Sequence, residues 1–366
     1  MSFLAGTLSQ FWLTIQGTLF PSLQEELGEL SEKQKQLIAI FELLSIESFI
    51  SSRRGYPGRP AEDRRAIARA FVAKAFYNLS TTRQLLERLQ SDTSLRRLCG
   101  WERQSELPSE ATFSRAFAEF SQSQLIVKVH AAVIEKYEGP RLVGHISRDS
   151  TEISVRERAV AKNKPMPTTV RKRGRPRKGT VIPAKPLTRL QRQQSMSLQE
   201  MINDLPQLCD HGSKRDSRGY QQHWVGYKLH LDVADGQIPI SCLLTSASLH
   251  DSQVALPLAT MTAQRVTNLY DLMDAAYDAE IIRAHSRSLG HEPIVAHCRR
   301  WSEKRELAPH QERRFRERTA VERVYARLKE EFGGRLVRVR GPAKVMTSLM
   351  FGILVLTADQ LLRLAV

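Results

Sequence analysis

RRFRERTAVERVYARLKEEFGG, Arg313 to Gly334, is the stretch around which the chain is organised. It runs about six turns without Pro or Gly until Gly333 and Gly334 stop it, so the pattern predicts one long helix. At roughly 100° per residue with Phe315 at zero, Arg318 falls near 300°, Glu322 near 340° and Lys329 near 320°. Those four share one narrow stripe. Val321, Val324 and Leu328 fall at roughly 180–240° and form a separate apolar stripe. Such a helix seats one face on a core and aims Arg, Glu and Lys into one space. A carboxylate between two cations suits a site where the acid holds a metal ion and the cations hold phosphates. The bland alternative is a solvated helix laced with i,i+4 ion pairs, which Arg318 and Glu322 also fit.

The rest of the chain decides between them. At 366 residues it is long enough for one large domain or two ordinary ones. The formal net charge is +16 and the pI about 10.0, which points to a polyanionic partner, most simply double-stranded DNA. No basic amphipathic anchor stands out, so a membrane surface is not expected. Cys99, Cys209, Cys242 and Cys298 are scattered and lack Cys-x-x-Cys spacing, as reduced thiols of a cytoplasmic protein would be. Cys209 with His211 and His223 matches no usual zinc spacing. The first residues lack a positive leader region, and Gln10 and Gln16 break their apolar run. VMTSLMFGILVLTADQLLRLAV, from Val345, is the most apolar piece. It meets Asp359 after about a dozen residues, too few to span a bilayer, so it reads as a buried closing helix.

Residues 1–138 read as helical throughout. Ser31 to Gln34 form a capping-box signature ahead of Leu37, Ile38, Phe41 and Leu44 at helical spacing. Helices are expected at about 61–77 and 81–90, after the turn-rich RRGYPGRP (Arg53–Pro60). Ser109 opens another with Phe113, Phe117 and Phe120 on one side. Short helices with tight turns fit a helix-turn-helix-like module or an ordinary bundle. The character changes at Glu138-Gly139-Pro140. A strand is expected to run from Arg141 and to end at Asp149. GYKLHLDVA (Gly226–Ala234) and QIPISCLLTSA (Gln237–Ala247) read as a hairpin around Asp235-Gly236. A helix at about 252–264, a strand ending at Asp274, a helix at about 279–289 and a short strand at 293–297 follow. The order implies a mixed sheet flanked by helices.

Between the first strand and the hairpin lies a basic insertion at about 155–222. From Val155 to Arg192 it carries thirteen Lys or Arg residues and one acid, Glu157. Such a block cannot bury a core and reads as a poorly ordered arm. Its centre, VRKRGRPRKG (Val170–Gly179), holds Arg173, Arg175 and Arg177. Arg173-Gly174-Arg175-Pro176 resembles an AT-hook, whose arginines enter the narrow minor groove of A·T-rich DNA. A plain phosphate clamp is the alternative.

Three acids are placed where one metal site can draw on them: Asp149 and Asp274 at strand ends, Glu322 on the helix. Three hard oxygen donors with open positions suit Mg²⁺, with Mn²⁺ as a substitute. Such ions activate a water or a 3′-hydroxyl and stabilise the leaving oxygen in phosphoryl transfer.

On these residues the chain resembles the DDE transposases of bacterial insertion sequences, of the fourth and fifth family type. The resemblance spans most of the chain. Leu272-Met273-Asp274-Ala275-Ala276-Tyr277-Asp278 is similar to the family's second-acid stretch, and Arg148-Asp149-Ser150-Thr151 to its first. Phe315, Arg318, Glu322 and Lys329 keep the family spacing aromatic-x₂-Arg-x₃-Glu-x₆-Lys. Trp224 to Lys228 with His230, and Ala247-Ser248-Leu249-His250-Asp251, resemble its hairpin strand and the turn after it. Leu95–Phe120 resembles the domain that commonly precedes the core.

The resemblance implies an α/β, RNase H-like catalytic domain at 139–366, preceded by an all-α DNA-binding or dimerisation domain at 1–138. It implies a catalytic and metal-binding triad of Asp149, Asp274 and Glu322, with Arg318 and Lys329 on DNA phosphates. Phe315 stands where the family usually has Tyr, which loses a hydroxyl, and Tyr325 is a candidate to supply one. The implied activity is metal-dependent cleavage of inverted-repeat ends and their transfer to target DNA, by at least a homodimer. It would act in the cytoplasm, on the nucleoid. A stand-alone metal-dependent nuclease and a non-catalytic, domesticated DNA-binding protein are the alternatives; an intact set of three acids argues against the second.

Overall fold

The computed structural model describes residues 29–51, 62–160, 186–215, 218–297 and 307–365. Six helices open the described chain. They are α1 (Glu32–Leu44), α2 (Arg64–Phe76), α3 (Thr82–Ser91), α4 (Thr93–Cys99), α5 (Glu110–Gln122) and α6 (Leu125–Tyr137). Local chemistry sets their starts. Ser31 with Gln34, and Thr81 with Gln84, complete capping boxes for α1 and α3. Asp63, Asp92 and Ser109 cap α2, α4 and α5 through their side-chain oxygens. The phenylalanine face of α5 is buried: Phe113, Phe117 and Phe120 ring Phe71 of α2 at centroid distances of 5.7, 5.2 and 6.4 Å.

The sheet has six strands: β1 (Leu142–Ser154), β2 (Asp210–Arg215), β3 (Gln221–Ala234), β4 (Ile238–Ser246), β5 (Thr267–Met273) and β6 (Glu292–Val295). β1 is central. It pairs antiparallel with β3 and parallel with β5; β6 extends the parallel side, and β2 and β4 both pair antiparallel with β3. Helices α9 (Ala255–Ala263) and α10 (Glu280–Ser288) connect β4 to β5 and β5 to β6. This mixed, helix-flanked sheet is the RNase H-like arrangement expected of the second half of the chain.

Three expectations need correction. Asp149 does not end its strand, because β1 runs on to Ser154. What ends there is the parallel pairing: Arg148 opposite Met273 is the last β1–β5 pair, while the β1–β3 pairing continues to Ser154 opposite Gly226. The basic helix is not continuous either. It divides into α11 (Pro309–Phe315), a tight 3₁₀ turn at Arg316–Arg318, and α12 (Thr319–Glu330).

The insertion, finally, is not a loose arm over its described flanks. Val155 bridges to Val337 and the Val160 N–H donates to the Cys209 carbonyl at 3.0 Å. Its one acid, Glu157, accepts from the Tyr227 hydroxyl and, at 2.9 Å, from the Gly341 N–H. Further on, α7 (Arg189–Gln193) and α8 (Leu198–Asn203) are joined by Arg189 and Arg192 to Asp204 at 2.7 and 2.9 Å, and β2 enters the sheet. Arg173, Arg175 and Arg177 lie outside the described residues.

The final helix, α13 (Pro342–Ala365), is long and apolar enough to cross a bilayer by length and composition, but it is buried inside the protein. It touches α1, α2, α5 and α6 on one side and β4 and α12 on the other. One continuous apolar cluster therefore includes residues of the N-terminal helices, the sheet, α12 and α13. Asp359, buried in α13, fastens three helices: it accepts from Gln36 of α1 and from Arg327 of α12 at 2.5 Å.

Candidate active site

The carboxyl end of the parallel strands is where open α/β sheets make a crevice. Asp149 and Asp274 stand there at one level, each one residue past the last paired position of β1 with β5. Asp149 accepts from the Ser150 N–H at 2.7 Å, and Asp274 caps the short turn after β5 by accepting from the Ala276 N–H at 2.9 Å. Burial, with the charges of Asp274 and Asp251 adding to it, pushes the Asp149 carboxyl up to about 7 against the lowering pull of Ser150 and Arg318. Burial is also the main cause of a raised pKa at Asp274, and Asp251 adds to it.

Asp251 is the residue that inspection of the sequence for acids passed over. It lies in a 3₁₀ turn between β4 and α9, and Lys228 of β3 holds it at 2.9 Å. Although burial raises its pKa, His230, Lys228 and the Ser150 hydroxyl bring it below the usual carboxylate range. It is therefore an ionised carboxylate acting on both Asp149 and Asp274. The signal was present in His250-Asp251 after the hairpin, a pair that local pattern alone does not mark as part of the site.

Arg318 occupies the space between the acids. Its guanidinium meets Asp149 Oδ2 at 3.5 Å and Glu322 Oε1 at 2.5 Å. The tight turn at 316–318 and the first turn of α12 preserve the i,i+4 spacing that lets it reach Glu322. Asp149 and Glu322 are thus gathered on one cation, and Asp274 feels the same charge. Among the described residues no three His, Cys, Asp or Glu side chains form a ready metal cage. The donor set still fits a divalent cation: two part-buried carboxyls raised by burial and by neighbouring carboxylates, with a third that is over half exposed.

Lys329 lies two turns further along α12. It donates to Thr151 Oγ1 at 2.8 Å and pairs with Glu152 at 2.9 Å, two and three residues past Asp149 on β1. Partial burial raises the Glu152 pKa, but Lys214 and Lys329 outweigh it and hold the carboxyl down to about 2. Phe315, half-buried at the end of α11, lies 5.9 Å from the Arg318 guanidinium. Tyr325 cannot supply the hydroxyl that Phe315 lacks. It is buried, and its hydroxyl donates to the Asp149 carbonyl at 2.6 Å and accepts from the Leu231 N–H at 3.1 Å. Because α12 must lie flat on β1 and β3 to bring Glu322 forward, Tyr325 is used to bolt the helix to the sheet.

Beneath the site, Arg148 and Asp232 form a fully buried bidentate pair at 2.8 and 2.7 Å, and the Thr262 hydroxyl donates to Asp232 at 2.7 Å. That pair fixes β1 against β3 directly behind Asp149.

Two protein families match the chain. A transposase DDE domain matches residues 147–358, and a transposase domain (DUF772) matches residues 25–119. No curated protein and no solved structure matches it.

Proposed function

The chain belongs to the DDE transposases, and from that premise we propose that Asp149, Asp274 and Glu322 are the carboxylates that carry its chemistry. The enzyme performs DNA phosphoryl transfer: metal-dependent cleavage of DNA and strand transfer in the transposition of an insertion sequence. The observation that carries the assignment of the acids is the shared guanidinium. Arg318 lies within 3.5 Å of Asp149 and 2.5 Å of Glu322, at the level where Asp274 leaves the sheet.

Asp149, Asp274 and Glu322 would hold the divalent ion, which we take to be Mg²⁺ with Mn²⁺ as a substitute. When bound, such an ion polarises the scissile phosphoryl group and lowers the pKa of the attacking hydroxyl. The protein's own groups do the rest. Arg318 would offer its guanidinium to a phosphate oxygen of the DNA. Lys329, with Phe315 beside Arg318, lines the path of the cut strand. Asp251, ionised beside Lys228, adds negative charge that helps keep the Asp149 and Asp274 carboxyls raised.

The same proposal takes residues 139–366 as the catalytic domain and 1–138 as the part that recognises the inverted-repeat ends and pairs two copies in the active complex. Arg173, Arg175 and Arg177 belong to a segment proposed to grip flanking duplex. The protein would work in the cytoplasm on the nucleoid.

The test is a strand-transfer assay on an oligonucleotide carrying the element's end. Asp149→Asn, Asp274→Asn and Glu322→Gln should each lower joining by at least about 10³-fold while duplex affinity stays within about threefold. Normal joining by Glu322→Gln would remove the third acid from the assignment.

A further inference from the structure

Away from the acids, a cavity of about 370 Å³ opens between the N-terminal helices and the segment that links α12 to α13. Its cationic lining is Lys74 from α2 and Arg338, Arg340 and Lys344 from the linking segment and the start of α13. Glu110 is the one acid among the described lining residues. None of the four cations has an ion-pair partner among the described residues, whereas Lys228, Arg318 and Lys329 at the active site do. Lys74 is the unusual one. It projects from a helix whose neighbours are buried Ala and Phe, and burial pushes its ammonium down to about 8. Phe71 and Phe351 line the same cavity, so part of the surface near that ammonium is apolar. An ammonium in such a place is costly unless an anion meets it. Ser114 and Ser348 add hydroxyl donors to the same wall.

We propose that this cavity is a phosphate site that takes one backbone phosphate of duplex DNA, held by Lys74 at the floor and Arg338 and Arg340 at the rim. Its walls come from both family-matched regions, 25–119 and 147–358, so one phosphate touches both at once. α12, which carries Glu322 in its first turn, ends at Glu330, two residues before Phe332 on the cavity wall. Engagement of flanking DNA is thereby joined to the position of the third acid by a single helix, roughly 12 Å along its axis from Glu322 to Glu330. The proposal rests on the reading of the chain as a DNA transposase but not on which acids are catalytic.

Binding of a 30-base-pair duplex, followed by fluorescence anisotropy at a series of salt concentrations, tests it. Losing one phosphate contact flattens the slope of log affinity against log salt by about 0.9. Lys74→Met should do that and weaken binding about fivefold to tenfold at 0.1 M salt, and the rim double variant Arg338→Gln/Arg340→Gln should do at least as much. The rim residues are exposed, so that variant keeps the test alive if Lys74→Met does not fold. A thermal-shift series in 10 mM inorganic phosphate against equal ionic strength of chloride forms the second arm. Phosphate should raise the melting temperature of the wild type more than that of either variant. Unchanged slopes in both variants overturn the proposal. Stabilisation by phosphate with unchanged duplex slopes also overturns it, because the site would then serve a free anion rather than DNA. Repeating the slopes in an Asp149→Asn background separates this failure from an error in the catalytic assignment, since that background should show the same flattening.

Discussion

Arg318 is the residue whose position says most about how the site is kept between reactions. With its guanidinium between Asp149 and Glu322, it sits in the resting protein at the place proposed for a metal ion. Removing it should leave the acids more eager for a cation. Arg318→Ala is therefore expected to gain more melting temperature on Mg²⁺ addition than the wild type, while joining falls by 10-fold or more. A variant that no longer responds to Mg²⁺ would place Arg318 in the metal's own support. Tyr325 makes the opposite kind of prediction. Tyr325→Phe removes the hydroxyl's bonds to the Asp149 carbonyl and the Leu231 N–H and should cost about 1 kcal/mol of stability, read as a lower urea midpoint, with duplex affinity unchanged. Asp274 and Glu322 were legible in the sequence because a strand end and a helical stripe are periodic features. The burial of Tyr325 was not, because it lies near the apolar stripe and its hydroxyl invites a polar role. Asp251 escaped because only the fold brings the turn after β4 beside the end of β5.

At the scale of elements, the hairpin of β3 and β4 was readable from Asp235-Gly236 and alternation, and β5 and β6 from short apolar runs before helical patterns. β2, α7 and α8 were hidden by the surrounding charge. Their anchors are ion pairs to Asp204, edge pairing to β3 and the packing of Leu190 and Met201, and residues so few leave no hydrophobic period. The break at Arg316–Arg318 likewise has no Gly or Pro to announce it. α12 and α13 meet at a point of very close approach. A methyl group added at Gly352 would lie 2.5 Å from the Phe332 carbonyl oxygen and 2.9 Å from Leu328 Cδ1. Gly352→Ala should push the end of α12 outward and cost roughly 1–3 kcal/mol, with a loss of joining larger than the loss of duplex affinity, since α12 carries Glu322. Calorimetry beside the strand-transfer assay measures both; full activity at reduced stability would show that the two ends of α12 are not mechanically linked.

The whole molecule has a pH limit set by buried imidazoles. Burial lowers His130 to about 3 and His230 to about 4. Both stay neutral in the fold, while the unfolded chain protonates them near 6.5, so the unfolded state binds more protons as pH falls below that value. Stability should decline between about pH 6.5 and 4, by on the order of 2–3 kcal/mol for each imidazole by the lower end. Urea midpoints at pH 7 and pH 5 check this, with His230→Gln expected to fall less than the wild type; an equal fall would assign the acid sensitivity elsewhere. The change from helices to strands near residue 138 was visible in the pattern, but the shared apolar cluster was not, because α13 is distant in sequence from every N-terminal helix it covers. That arrangement has a consequence for synthesis. At about 5–20 residues per second, a ribosome needs on the order of tens of seconds to pass from α6 to the end of α13. Throughout that interval the nascent helices wait with Phe71 and Phe117 uncovered. A message cut short before Pro342 would thus leave the apolar faces that α13 covers open to water.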